Sequence, residues 1–226
     1  MLNVVIPTKN REDKLLNCLE SIDKCIFNGI NVYVYFDTTD EKLRFYNKFK
    51  RSWINYMHFE NYRVPDFWNS FLLNMNDNLL CYLNDDVEVV DNFFFELLKE
   101  YISHFPNYDG LMGINQSNLP EQKCKAAFGV IGTNYASLFP NKQVFCPEYD
   151  RFCGDMEMYL YADEVGKFYF SETTKIIHHH AAFGGHKDET HRDVRKYIEK
   201  DKFKYAVRQR KNLLWGKTFE LIGENK

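Results

Sequence analysis

The sequence has no glycine-rich phosphate loop. The loop after the first apolar run, Pro7 to Arg11, has neither G-x-G-x-x-G nor G-K-[ST], which argues against a dinucleotide-binding fingerprint and against a P-loop. No stretch reaches the ~20 apolar residues that cross a bilayer. The apolar start from Leu2 to Pro7 is followed at once by Lys9, Arg11, Glu12 and Asp13, the pattern of a strand and its loop rather than of a secretion signal. These absences lead to the expectation of a cytoplasmic protein, or one at the inner face of a membrane. The six cysteines (Cys18, Cys25, Cys81, Cys124, Cys146, Cys153) contain no C-x-x-C pair and are expected to be reduced rather than paired or zinc-bound. No internal repeat and no linker rich in Pro, Gly or Ser divides the 226 residues, a length that suits one domain.

What is present is a chain that is 45% hydrophobic, enough for a substantial core. Its net charge of -3 conceals an asymmetry: residues 187–217 hold eleven Lys or Arg against five Asp or Glu, so a basic C-terminal segment is set against an acidic body. Such a segment is either a solvated helix face or a seat for something anionic, such as a pyrophosphate, a membrane surface or nucleic acid. The aromatic share of 17% is assigned mainly to the core.

Apolar periodicity alternates between the two regular patterns. Residues 3–7, 31–36, 54–59 and 79–83 are expected as strands. Residues 12–27, 41–53, 66–75 and 91–103 are expected as helices. The second half is less regular, with strands expected at 110–114, 127–133, 167–170 and 175–180, a loop at 115–125, and helices at 155–165 and 191–215. Strands alternating with helices predict an α/β fold with a mostly parallel sheet covered on both faces.

Four constellations bear chemistry. The first is Asn84-Asp85-Asp86-Val87-Glu88 at the end of an apolar strand, where open α/β sheets bind ligands. Extended backbone would put Asn84, Asp86 and Glu88 on one face, a seat for Mg²⁺ or Mn²⁺, which take carboxylates and leave positions for phosphate oxygens; the bland reading is a turn of solvated acids. The second is His178-His179-His180, where His178 and His180 share a strand face and either could reach a metal, with His186 and His191 close in sequence. The third is Gly154-Asp155-Met156-Glu157. There Asp155 is either a favourable acid at a helix start or a general base for an acceptor hydroxyl. The fourth is the loop Pro7-Thr8-Lys9-Asn10-Arg11, which could hold a nucleotide through Thr8 and Arg11.

In this order the motifs resemble those of the inverting family 2 glycosyltransferases. The resemblance is carried by Val4-Val5-Ile6-Pro7-Thr8-Lys9-Asn10-Arg11, Phe36-Asp37-Thr38-Thr39-Asp40, Phe67-Trp68-Asn69, Leu83-Asn84-Asp85-Asp86-Val87, Gly154-Asp155 and His178-His179-His180, and it covers about residues 2–184. It implies a GT-A fold: a mixed, mostly parallel central sheet flanked by helices, with residues 1–190 as the catalytic domain and 191–226 as a basic helical extension packed on it. It implies a metal-dependent inverting transfer of one sugar from a nucleoside diphosphate sugar, first among them a UDP-sugar, to a hydroxyl acceptor. Pro7, Thr8, Arg11, Asp37 and Asn69 would hold the donor, with Asn84 and Asp85 assisting. Asp86 and His178 or His180 would bind Mn²⁺ or Mg²⁺, and Asp155 would be the base. Asn84 stands where the family often has the first Asp of D-x-D, and Gly154 where it has Glu.

The acceptor implied by the resemblance is a glycan. The basic segment, with Tyr197, Phe203, Tyr205 and Trp215 interleaved among its cations, offers an alternative: DNA carrying a hydroxylated base. It could also touch an anionic surface. Further alternatives are a metal hydrolase built on Asp86 and the histidines, and a non-catalytic binding module that keeps the fold. A sugar-phosphate nucleotidyltransferase is disfavoured because Lys9-Asn10-Arg11 offers no glycine to cradle a triphosphate.

Overall fold

The computed structural model describes residues 1–37, 49–59, 63–76, 78–119, 121–122, 124–180 and 189–217; of residues 37 and 189–195 only the backbone is described. Most of the helix expected at 41–53 therefore lies outside the described residues. Eight strands form one sheet in the order β3-β2-β1-β4-β7-β6-β8-β5. They are β1 (Leu2–Thr8), β2 (Ile30–Asp37), β3 (Ile54–Phe59), β4 (Leu79–Tyr82), β5 (Val87–Val89), β6 (Leu111–Gln116), β7 (Gly129–Gly132) and β8 (Phe168–His178). The helices, numbered in chain order, are α1 (Glu12–Asp23), α2 (Val64–Leu73), α3 (Phe93–His104), α4 (Thr133–Ala136), α5 (Gly154–Glu164) and α6 (Glu189–Arg210).

Strands β3, β2, β1 and β4 are mutually parallel, β7 runs against β4 and β6, and β6 pairs in parallel with β8. It follows that β1, β2, β4, β6 and β8 all point their carboxyl ends at one edge of the sheet. That edge is where a ligand site is expected in an open α/β sheet.

Alternation along the central strands divides the core between the two faces. Leu2, Val4 and Ile6 of β1, with Leu79 and Cys81 of β4, pack against Leu15, Cys18, Leu19 and Ile22 of α1 and Phe94, Leu97 and Tyr101 of α3. Val5, Leu80 and Tyr82 face the other way onto Phe67, Trp68 and Leu72 of α2, Phe145 and Met158. Both faces are covered, so these strands are apolar throughout rather than half polar. Pro65 lies in the first turn of α2, the one helical position where a missing N–H costs nothing.

Two expectations are corrected here. The strands expected at 167–170 and 175–180 are one strand, β8, interrupted by a bulge. Gly113 pairs with Phe170 while Asn115 pairs with Lys175, so the four residues 171–174 stand opposite the single Ile114 and three of them are surplus to the ladder. The surplus is tied down by Glu100 of α3, whose carboxylate accepts from the hydroxyls of Tyr169 at 2.9 Å, of Thr173 and Thr174 at 2.8 Å each, and of Ser171. Burial would raise the Glu100 pKa, but the hydroxyl donors outweigh it and hold it below the ordinary value. Since a one-residue slip reverses every side chain, this bulge decides which way His178 faces. The second correction concerns residues 84–88. The chain turns at Asp85 and Asp86 before β5 begins at Val87, and the alternation expected from an extended run does not hold there.

Helix α6 is docked through charge. Arg208, 5% exposed, makes a two-pronged ion pair with the fully buried Glu157 of α5, Nε to Oε1 at 2.7 Å and Nη2 to Oε2 at 3.0 Å. Its remaining nitrogen Nη1 reaches Glu148 at 2.5 Å. Tyr149 donates its hydroxyl to Glu157 at 2.7 Å, and the backbone N–H of Trp215 donates to it at 3.2 Å. Lys200 and Lys204 bind Asp150 at 2.6 and 3.3 Å. Three of the segment's cations thus face the body of the protein, and the exposed positive charge is smaller than the sequence count. Removing one partner of a buried, hydrogen-bonded pair costs about 3–5 kcal/mol. Arg208→Met is therefore expected to lower the unfolding free energy by about that amount in urea titrations, whereas a loss below about 1 kcal/mol, the worth of an exposed pair, would show the pair to be dispensable.

Candidate active site

The carboxyl edge of the sheet carries a cleft of about 370 Å³. Its lining includes Pro7, Thr8 and Arg11 from the loop after β1, Asn84, Asp85 and Asp86 from the turn after β4, Asp155 from the first turn of α5, and His178 and His180 from the end of β8. Parallel pairing of β1 with β4 in the register Val5 to Tyr82 sets the first two loops side by side. The antiparallel pairing of β5 with β8, Val87 opposite His178, together with the hydrogen bond from His179 N to Asp86 O at 2.8 Å, brings the imidazole to the same turn.

The polar floor is an ion network. Asp85 and Asp86 are 1% and 3% exposed. Arg11 bridges them, Nη1 to Asp85 Oδ1 at 2.6 Å and Nη2 to Asp86 Oδ2 at 2.8 Å, while Thr8 donates its hydroxyl to Asp85 Oδ2 at 2.7 Å. The other Asp86 oxygen, Oδ1, lies 3.3 Å from His178 Nε2. His178 Nδ1 is 2.7 Å from Gln116 Oε1; an amide oxygen only accepts, so Nδ1 carries the proton in this pairing and Nε2 is the nitrogen turned to Asp86. Burial pushes the Asp86 carboxyl up, but a hydrogen bond from His178, which needs the imidazolium form with a proton on Nε2 as well, and the Arg11 charge outweigh it and leave it well below the usual carboxylate range. Burial also pushes up Asp85, and there Arg11 offsets it only in part, with the neighbouring Asp86 charge adding to the rise, so that it reaches about 7. Two buried carboxylates against one guanidinium divide the cost of burial unequally.

Asp155 stands apart from this network. Its Oδ1 accepts from the N–H of Met156 at 2.9 Å, and the Cys124 thiol also donates to it. Burial raises its pKa above the ordinary Asp value, and these two hydrogen bonds lower it only in part. The rest of the cleft lining is largely apolar and aromatic, with Val64, Pro65, Trp68, Phe145, Phe152 and Ile198 among it and Lys9 and Arg151 as added cations.

The structure sorts the expected residues. It places Thr8, Arg11, Asp85, Asp86 and His178 in direct contact and puts Pro7, Asn84, Asp155 and His180 on the same cleft. Asn69 lies elsewhere: it is 5% exposed, its Nδ2 donates to Phe145 O at 2.7 Å and its Oδ1 accepts from Phe145 N at 3.0 Å. Both ends of its amide serve a backbone clamp. Glu88, expected on the metal face, points instead to the exposed His179, 3.1 Å away. The backbone of Asp37 ends β2 at the carboxyl edge, but its side chain lies outside the described residues, as do those of His186 and His191. Among the described residues no group of three or more His, Cys, Asp or Glu side chains is disposed to hold a metal ion. Sequence reasoning missed Gln116 and the α6 residue Ile198. Gln116 sits 62 positions from the histidine it orients, and no local pattern announces such a partner.

No family model matches the sequence, and no curated protein matches it. Solved structures do resemble the fold. The first 349 residues of S. aureus TarS, a glycosyltransferase, superpose with a TM-score of 0.57 at 16% identity, over 77% of this chain and 59% of that one. The same TarS fragment in complex with UDP-GlcNAc gives 0.55 at 16% identity, over 77% and 57%, and in complex with UDP 0.51 at 15% identity, over 77% and 59%. The chain therefore shares the GT-A-like fold of that fragment and spans somewhat more than half its length. Identities this low carry the fold and no individual residue.

The clamp role of Asn69 has a direct consequence. Asn69→Ala leaves two backbone groups of Phe145 unpaired in a buried setting, at about 1–3 kcal/mol each. The variant is expected to melt earlier and to exchange the Phe145 amide hydrogen faster; an unchanged melting temperature with unchanged exchange there would show the clamp to be dispensable.

Proposed function

We propose that the protein is a metal-assisted, inverting glycosyltransferase that moves one sugar from a UDP-sugar to a hydroxyl acceptor, in the first instance a glycan. The observation that carries the reading is the meeting, in one cleft at the carboxyl edge, of the Arg11–Asp85–Asp86–His178 network with a carboxylate outside that network, Asp155, among a lining otherwise mainly apolar and aromatic. A nucleoside diphosphate and an activated hydroxyl need these two environments side by side. The TarS fragment, which shares the fold, is seen with UDP-GlcNAc and with UDP, and this supports the donor class.

The residues present fit a divalent cation. His178 Nε2 and Asp86 Oδ1 face one another at 3.3 Å, close to the ~3 Å between adjacent ligands of an ion with bonds of ~2.1 Å. Gln116 holds the imidazole in the tautomer that leaves Nε2 as ligand, the usual outer-shell arrangement for a metal-binding histidine. Two protein ligands are also typical of Mg²⁺, which completes its shell with water and phosphate oxygens. Charge argues the same way: two carboxylates and one guanidinium receive a diphosphate only with further positive charge, of which the cleft lining offers, among the described residues, Lys9 and Arg151. Asp86 and His178 would hold Mn²⁺ or Mg²⁺, with His180, whose ring centroid is 5.2 Å from that of His178, next in line. Such an ion supplies Lewis-acid stabilisation of the departing diphosphate.

The chain's own residues do the rest. Thr8 and Arg11 frame the donor loop, and the planar donors of Arg11 match phosphate as well as carboxylate. Asp37, at the end of β2, is assigned to the nucleoside. Asp155 takes the proton of the acceptor hydroxyl at Oδ1 or Oδ2 as that oxygen attacks the anomeric carbon; a base partly freed from water by apolar neighbours is stronger than an exposed one. A single displacement of this kind inverts the anomeric centre. The DNA alternative draws less support from the structure, because Lys200, Lys204 and Arg208 are engaged within the protein. The hydrolase and binding-module alternatives leave the donor-shaped pairing of two environments unexplained.

The test is turnover of a panel of UDP-sugars with Mn²⁺, with and without acceptors. Asp155→Asn is expected to lower the rate by about 10²- to 10⁴-fold, the usual worth of a general base. In the parent, Asp155 must be ionised to act, so the rate falls as pH drops through its raised pKa. The acid limb should therefore lie above the ordinary Asp value of about 3.9. An Asp155→Asn variant with the parent's rate, or a parent that turns over no nucleotide sugar and binds none, overturns the reading.

A further inference from the structure

We propose that Asp201 of α6 is a positioning residue that holds the Asp155 side of the cleft in register, an inference that rests on Asp155 being the base. Asp201 is fully buried. Its carboxylate accepts three successive backbone N–H groups: Asp150 to Oδ1 at 3.1 Å, and Arg151 and Phe152 to Oδ2 at 2.8 and 2.9 Å. Successive amides converging on an anion form a nest, and here the anion belongs to the protein itself. Lys204 lies 3.7 Å from Oδ1. A charge so buried is costly unless hydrogen bonds satisfy it, and these bonds fix the chain just before the base.

The nest has short reach into the cleft. Arg151 and Phe152 both line it. They are followed by Cys153, whose φ of 68° is unfavourable for most residues other than glycine, and then by Gly154 and Asp155 at the start of α5. A non-glycine residue keeps such a conformation only where its surroundings over-determine it. One side of that determination is the bond from Glu157 N to Cys153 O at 3.1 Å; the nest is the other. Ile198, one helical turn before Asp201, itself lines the cleft. Docking of α6 does not depend on Asp201, because the Arg208–Glu157 pair anchors the helix two turns later. The hydrogen bonds of Asp201 go to the loop backbone, so its loss should disturb Asp155 while α6 stays in place.

The variant is Asp201→Asn, with Asp201→Ser as a second in case the amide does not fit, and Lys202→Ser, an exposed change on the same helix, as control. Hydrogen exchange is expected to quicken at Arg151 and Phe152 in the Asp201 variants while amides of α5 and α6 remain protected. UDP affinity should stay within about twofold of the parent. Turnover of the donor should fall about 10- to 100-fold, as misplacement by an ångström can cost, and the acid limb should move down towards that of an exposed Asp. If the folded variants keep the parent's turnover and acid limb and differ only in melting temperature, Asp201 is structural and the proposal is overturned. If the parent turns over no UDP-sugar, the functional reading fails separately, and the exchange measurement alone decides the nest: unchanged exchange at Arg151 and Phe152 rejects it. Lys202→Ser should match the parent throughout, and a control that loses activity equally would remove the specific role.

Discussion

One buried knot of charge organises the carboxyl edge of the sheet: Arg11 held between Asp85 and Asp86, with Asp86 turned on its other side to His178. Its four members come from three places, the loop after β1, the turn after β4 and the last residue of β8, so the knot forms only when β1, β4 and β8 are all in register. The carboxylates are nearly inaccessible to water, and an error in any of those registers would leave a buried charge alone, at a cost of several kcal/mol. The same arrangement that penalises misfolding presents an acidic seat beside a guanidinium on the floor of the cleft. On the proposed function, stability and activity draw on the same atoms there, and the bulge in β8 matters because it decides the face on which His178 emerges.

Away from the knot the cleft changes character. The rest of its lining is mainly apolar and aromatic; burial pushes the Asp155 carboxyl up in pKa, while Asp86 is pulled down by its cationic neighbours. Two acids in one crevice with pKa values driven apart is the arrangement that separates an electrostatic role from a proton-transfer role. The segment from Pro147 to Asp155 leads to the second of these acids, and it is gripped from α2, through Val64 N to Asp150 O at 3.1 Å, as well as from α6. The C-terminal helix is thereby part of the cleft's construction rather than a loose basic appendage.

Much of this is legible in the residues. The apolar runs at 3–7, 31–36, 54–59 and 79–83 announce the parallel half of the sheet because strands buried on both faces leave no room for polar alternation. The edge location of Asp85, Asp86 and the histidines follows from motifs placed at strand ends. Where sequence and structure part, the reasons are identifiable. Strand alternation does not extend through residues 84–88, where a turn brings two adjacent acids onto one guanidinium. The place of Asn69 in a motif points to the donor, but its amide is consumed by the backbone of Phe145. A count of the cations in 187–217 overstates the surface charge, because burial of Arg208 and pairing of Lys200 and Lys204 depend on Glu148, Asp150 and Glu157, partners some 50 to 60 positions away, beyond any local pattern.

The central claim is that a divalent cation on Asp86 and His178 couples this knot to a diphosphate. Calorimetric titration of UDP with and without Mn²⁺, in the parent and in Asp86→Asn, addresses it most directly. The account predicts that Mn²⁺ tightens UDP binding at least about tenfold in the parent, about 1.4 kcal/mol, and that the gain disappears in the variant while metal-free affinity persists. Equal UDP affinity with and without Mn²⁺ in the parent, or an undiminished gain in Asp86→Asn, would contradict it.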